Sequence, residues 1–184
     1  MSRRGAAAAL AAAAVLALAG AVEAATTKGT NGPDHLVGTD AADVIHARGG
    51  DDEVRGRGGP DNLFGGPGND TIFGGLGNDQ LHGDPGGDRL FGEAGNDVLK
   101  GKDGNDRLDG GTGDDTAYGG AGNDTIVGGA GEDILRGGPG NDTFHARDGS
   151  QDLIDCGPGV DTAIVDSKED GVFNCEIVKF PPGS

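Results

Sequence analysis

An all-β fold of tight turns and short strands is what this sequence predicts, on three observations. Residues 65–73 read GGPGNDTIF, and this unit of nine recurs without insertion in thirteen consecutive copies, starting at residues 29, 38, 47, 56, 65, 74, 83, 92, 101, 110, 119, 128 and 137. The first residue of the nine is Gly in every copy except at Ala47, and the fourth is Gly except at Ala41. The sixth is always Asp and the eighth is always apolar.

Each constant has a physical meaning. Two glycines within four residues mark backbone of positive φ or close approach, so the first six residues form a turn. The last three form a short strand whose middle side chain is buried, because successive strand side chains point to opposite faces. The inward residues are Leu36, Ile45, Val54, Leu63, Ile72, Leu81, Leu90, Leu99, Leu108, Ala117, Ile126, Leu135 and Phe144. A carboxylate in every turn then faces its neighbours at strand spacings of about 5 Å, where unneutralised like charges repel. Something positive must sit between them.

This pattern resembles the repeats-in-toxin family, GGxGxDxUx with U a large apolar residue. The resemblance covers residues 29–145. It implies a right-handed parallel β-roll, a β-solenoid with two nonapeptide repeats per turn, in which Ca²⁺ lies between loops two repeats apart. Its ligands would be the sixth-position carboxylates and loop carbonyls. One row is then Asp34, Asp52, Asp70, Asp88, Asp106, Asp124 and Asp142, and the other is Asp43, Asp61, Asp79, Asp97, Asp115 and Asp133. The implied carbonyls are those of Gly66, Gly68, Gly75, Gly77, Gly111, Gly113, Gly120, Gly122, Gly129, Gly131, Gly138 and Gly140. Hard oxygen ligands suit Ca²⁺, which takes six to eight of them.

Departures from the motif grade these sites. Asp70, Asp79, Asp115, Asp124, Asp133 and Asp142 stand in copies with both glycines of the opening pair. The copies at 29, 38, 47 and 56 lack the second Gly and are expected to wind without binding tightly. Asp84, Glu93 and Lys102 fill that second position in three further copies, which leaves their binding less certain than in the full-motif copies.

Taken from its start, the chain opens on residues 1–24, where Arg3 and Arg4 precede an Ala-rich apolar run and Val22-Glu23-Ala24 offers a small-residue cleavage site. This reads as a signal peptide, and the protein is expected to be secreted and extracellular. A retained membrane helix is the weaker reading, since the run is short and Ala-dominated, and the mature chain offers no other span. Residues 25–28 form an N-terminal lead-in and 29–145 the repeats. Residues 146–164 hold two degenerate copies, the first lengthened by Gln151. Residues 165–184 lose the glycines and supply a C-terminal cap and tail, with Val172, Phe173, Ile177, Val178 and Phe180 as its apolar surface. The only cysteines, Cys156 and Cys175, flank this region, and in an exported chain such a pair reads as a disulfide pinning the cap to the last rung.

With 40 glycines, no Trp and a formal charge of −17, scattered residues would spell disorder, but here they are periodic. One buried side chain per nine residues is a thin core, so the calcium-free chain is expected to be largely unfolded and metal binding to supply its folding energy. About eleven ions, roughly +22 of charge, would offset the formal −17.

Other chemistries fit poorly. His35, His46, His82 and His145 lie on outward strand positions, without the spacing of a zinc site. No phosphate-binding GxxxxGK[ST] occurs, and the acidic charge disfavours nucleic acid. A secreted hydrolase would need a nucleophile beside a base, and Ser150, Ser167 and Ser184 have no such context, so the chain reads as no enzyme. Ice binding would need Thr at the third loop position, which only Thr112 supplies. Outward Phe73 and Phe91 are expected to stack on neighbouring rungs. This leaves, beside the calcium-binding structural module, an alternative of cell-surface adhesion or matrix assembly through a glycan or protein held on the outer sheet face.

Overall fold

The computed structural model describes residues 23–166 and 170–181. The expected signal segment therefore lies outside the described residues, apart from Glu23 and Ala24.

The chain winds as a parallel β-solenoid, and no described residue is helical. Its strands are β1 (Thr26–Lys28), β2 (His35–Val37), β3 (Val44–His46), β4 (Glu53–Gly58), β5 (Asn62–Phe64), β6 (Thr71–Leu76), β7 (Gln80–Pro85), β8 (Arg89–Ala94), β9 (Val98–Asp103), β10 (Arg107–Thr112), β11 (Thr116–Ala121), β12 (Thr125–Ala130), β13 (Ile134–Arg136), β14 (Thr143–Ala146), β15 (Leu153–Asp155), β16 (Thr162–Val165), β17 (Gly171–Phe173) and β18 (Ile177–Lys179). Odd strands form one nine-stranded sheet and even strands the other. Two repeats therefore make one turn, and each residue sits beside its equivalent in the next turn, as Leu63 beside Leu81 and Ile72 beside Leu90.

The eighth-position side chains from Ile45 to Phe144 are fully buried and fill the space between the sheets. The central strands are longer than the periodicity predicts: β4 and β6–β12 run on through the first three residues of the next nine. Their backbones stay in register across neighbouring turns, as at Gly75 and Glu93, so the ladder continues where a turn was expected. The second-position side chains consequently stand on the outer surface. Arg48, Arg57, Asp84, Glu93 and Lys102 all hold positive φ there, between 73° and 89°, so the loop keeps its path without the glycine.

Both ends carry strands of their own. The lead-in 25–28 contributes β1, a strand paired with β3. Residues 170–181 carry the ladders one turn further, with β17 on β15 and β18 on β16. Val172 packs against the core, whereas Phe173, Ile177, Val178 and Phe180 remain exposed, because no further rung covers them among the described residues. The extra residue of 146–155 is absorbed in its turn, and Leu135 still meets Ile154 in register. Cys156 and Cys175 form a disulfide, their Cα atoms 5.2 Å apart, which ties the turn before β16 to the segment between β17 and β18.

Candidate metal centre

The sixth-position carboxylates lie where each nine turns into its strand, one row along each edge of the solenoid. Strand geometry puts the backbone N–H of every such Asp against the carboxylate of its equivalent one turn on. Asp34, Asp52, Asp70, Asp88, Asp106 and Asp124 donate in succession along one row, 2.7–2.8 Å to the Oδ1 of the next. Asp43, Asp61, Asp79, Asp97 and Asp115 do so along the other, at 2.7–2.9 Å. Both rows run on beyond the repeats, Asp142 donating to Asp161, and Asp133 to Asp152, which donates in turn to Asp170. All of these carboxylates except Asp34 are buried.

Oδ1 is thus committed to the backbone, and the question of a ligand rests on Oδ2. From Asp52 through Asp142 every Oδ2 in both rows is buried and receives no hydrogen bond. Burial pushes the carboxyl of Asp61, Asp88 and Asp115 up to about 7, and those of Asp70, Asp97, Asp124, Asp133 and Asp142 up to about 6. The neighbouring Asp carboxylates add to the rise, and the backbone bonds to Oδ1 oppose it.

What each Oδ2 faces is set by the first residue of its own nine. A methyl group added at Gly65 would meet Asp70 Oδ2 and the carbonyl oxygen of Gly83, and one at Gly101 would meet Asp106 Oδ2 and the carbonyl oxygen of Gly119. The same cradle recurs at Gly56, Gly74, Gly83, Gly92, Gly110 and Gly119, and at Gly137, where the carbonyl is that of Cys156. The Oδ2 is buried without a hydrogen bond and shares this space with a main-chain carbonyl oxygen, a setting in which a buried carboxylate calls for a cation. These carboxylates and main-chain oxygens would suit Ca²⁺, which would neutralise the buried charge.

Three of the thirteen sequence-predicted carboxylates are different. Thr30 and Thr39, in the second position, donate hydroxyl hydrogen bonds to Oδ2 of Asp34 and Asp43, at 3.0 and 3.1 Å. Ala47 carries natively the methyl group that fills the cradle, so the free Oδ2 of Asp52 has no room beside it. Asp152 and Asp161 also bury an Oδ2 without a hydrogen bond, outside the predicted set. Their first-position residues are Ala146 and Cys156, both fully buried, which fill the equivalent space.

The carbonyls nominated from the motif point along the solenoid axis. Those of Gly68, Gly77, Gly113, Gly122 and Gly140 face the fourth-position glycine of the next turn, and those of Gly111, Gly120 and Gly138 face its second-position residue. Carbonyls of first-position residues such as Gly83 and Gly119, which the motif did not single out, share the Gly65 and Gly101 cradles with the free Oδ2. Among the described residues no three His, Cys, Asp or Glu side chains converge.

The fifth position has its own ladder. Asn69, Asn105 and Asn123 each accept the N–H of the residue one turn on, at 2.7–2.9 Å. That explains the recurrent Asn without a ligand role.

A parallel solenoid whose turns stack glycine cradles against rows of buried carboxylates defines a metal-binding structural class. The family model of the RTX calcium-binding nonapeptide repeat matches in four copies, at residues 28–63, 55–90, 82–117 and 118–150. The chain belongs to that family, whose nonapeptide repeats bind calcium. Comparison with curated proteins gives no match.

Proposed function

We propose that this protein is a secreted structural module that folds when extracellular Ca²⁺ fills the turns of its solenoid. The observation that carries this reading is the run of buried, hydrogen-bond-free Asp Oδ2 atoms, nine of them beside a main-chain carbonyl. Nine positions meet both conditions of a cradle with a carbonyl and a free oxygen: Asp61, Asp70, Asp79, Asp88, Asp97, Asp106, Asp115, Asp124 and Asp142, each with Gly as the first residue of its nine, and Asp133 beside Gly128 shares the free oxygen. Asp34, Asp43 and Asp52 wind without binding. The cleavable leader at 1–24 and the Cys156–Cys175 disulfide support export.

The test is far-ultraviolet circular dichroism of residues 25–184, titrated with CaCl₂ and then with MgCl₂. A cooperative gain of β signal with Ca²⁺ alone is expected, because Mg²⁺ demands octahedral geometry and sheds water reluctantly. A spectrum already folded in chelator and indifferent to Ca²⁺ would remove the proposal.

A second reading, adhesion through the outer sheet faces, draws on stacked rings. His46, Phe64 and His82 stack at 4.6 and 4.7 Å on one sheet, and Phe73 and Phe91 at 5.0 Å on the other.

A further inference from the structure

The outer face of the odd-numbered sheet carries two adjoining hollows that share Tyr118 and Gly120. The first, of about 530 Å³, is lined by Val98, Lys100, Lys102, Thr116, Tyr118 and Gly120. The second adds Arg136, Gly138 and Asp155 among its walls. Register explains the shape. Lys100, Tyr118 and Arg136 stand in one lane on successive turns, and Val98, Thr116 and Ile134 in the lane beside it. On the other flank Gly120 follows Lys102 and has no side chain, which leaves a floor.

The groove sets three cations, Lys100, Lys102 and Arg136, against the carboxylates of Asp84 and Asp155, a small positive excess on an acidic chain. Lys102 pairs with Asp84 at 2.8 Å, Lys100 makes no ion pair among the described residues, and the Arg136 guanidinium lies over the Tyr118 ring, 5.5 Å from its centroid. The carboxylates that make up the formal −17 lie largely along the turn edges. Once Ca²⁺ neutralises those edges, the cations of the face are what an approaching molecule meets.

We propose that this groove binds a linear polysaccharide bearing carboxylate or sulfate groups, on the calcium-filled form described above. A sugar ring has an apolar face and a polar rim. The Val98, Thr116 and Ile134 lane and the Tyr118 ring suit the first, and Lys100 and Arg136 pair with acidic groups on the second. A hollow one or two strands wide admits a single chain, whereas a lipid surface would touch only its rim.

Tyr118 is the only tyrosine and the chain has no Trp, so intrinsic emission reports on this groove alone. With the chain in millimolar CaCl₂ and its β signal verified by circular dichroism, dextran sulfate is titrated against uncharged dextran of equal length. Dextran sulfate is expected to change Tyr118 emission saturably, and dextran is not. Lys100→Glu is expected to weaken binding roughly tenfold, and Arg89→Glu on the opposite sheet less than about twofold. A folded chain whose emission dextran sulfate leaves unchanged would overturn the proposal. So would equal losses in both variants, or the same saturable change with phosphatidylserine vesicles. A chain that gains no β signal in CaCl₂ fails at the earlier step, and the groove falls with the roll that carries it.

Discussion

Gly101 adopts a backbone conformation open to any residue, so Gly101→Ala adds only a methyl group, placed against Asp106 Oδ2 and the Gly119 carbonyl. Both atoms must shift to admit it, so the variant is expected to remove one bound Ca²⁺ and to loosen the roll at that turn. Ala47→Gly is the converse: it opens the cradle beside Asp52 and is expected to add one ion. Isothermal titration calorimetry with CaCl₂ reads both as changes of stoichiometry in opposite directions, and an unchanged count in the pair would show that the cradle is not the site. A different glycine fails for a different reason. Gly104 holds φ at 144° with the Gly86 carbonyl pressed against its Cα, so Gly104→Ala combines strain with a backbone clash. Its cost is expected to exceed about 4 kcal/mol. Gly32→Ala meets nothing within 4 Å and is expected to be neutral, which urea unfolding in calcium compares directly.

A strand here is held by its two neighbours one turn away, so damage is local in origin and spreads along the axis. Leu90→Ala empties part of a fully buried layer and is expected to cost about 2–5 kcal/mol in the calcium-filled state. Reduction of Cys156–Cys175 acts at one end only. It opens a loop of 19 residues, worth about 3 kcal/mol, and hydrogen exchange is expected to quicken in β17 and β18 while β6–β12 stay protected. Uniform quickening would mean that the disulfide holds more than the last turn. The sequence made the layers and the two carboxylate rows legible, because the invariant Asp and the apolar eighth residue recur at one fixed period and stacking follows from it. It did not disclose that strands run into the first three residues of the next nine, since that depends on backbone pairing and not on side-chain pattern. Nor did it show that Thr30 and Thr39 occupy the oxygen of Asp34 and Asp43, or that Ala47 blocks Asp52: a second-position Thr and a first-position Ala look like mild variations until the turns are stacked. The lead-in at 25–28 carries no motif at all and is a strand only because β3 offers it an edge.

Across the whole molecule the two carboxylate rows make folding a question of what neutralises them, and protons compete with calcium for the task. In the metal-free roll the carboxyls of Asp61, Asp88 and Asp115 sit at about 7 and those of Asp70, Asp97, Asp124, Asp133 and Asp142 at about 6, against roughly 3.9 in an unfolded chain. A raised folded-state value means that the folded form binds the proton more tightly. Protonation therefore favours folding, fully below about pH 4, and this contribution is lost as pH rises through 6 to 7. In chelator, the β signal is thus expected to grow as pH falls from 8 to 5, partly replacing calcium. In excess Ca²⁺ the signal should stay flat from pH 6 to 8, because the ion already holds the carboxylates ionised and neutralised. Calcium binding at pH 6 should release protons, and at pH 8 almost none. Calorimetry in two buffers of different ionisation enthalpy measures that release. A metal-free chain that loses β structure on acidification from pH 8 to 5 would show that the buried rows are not what opposes folding.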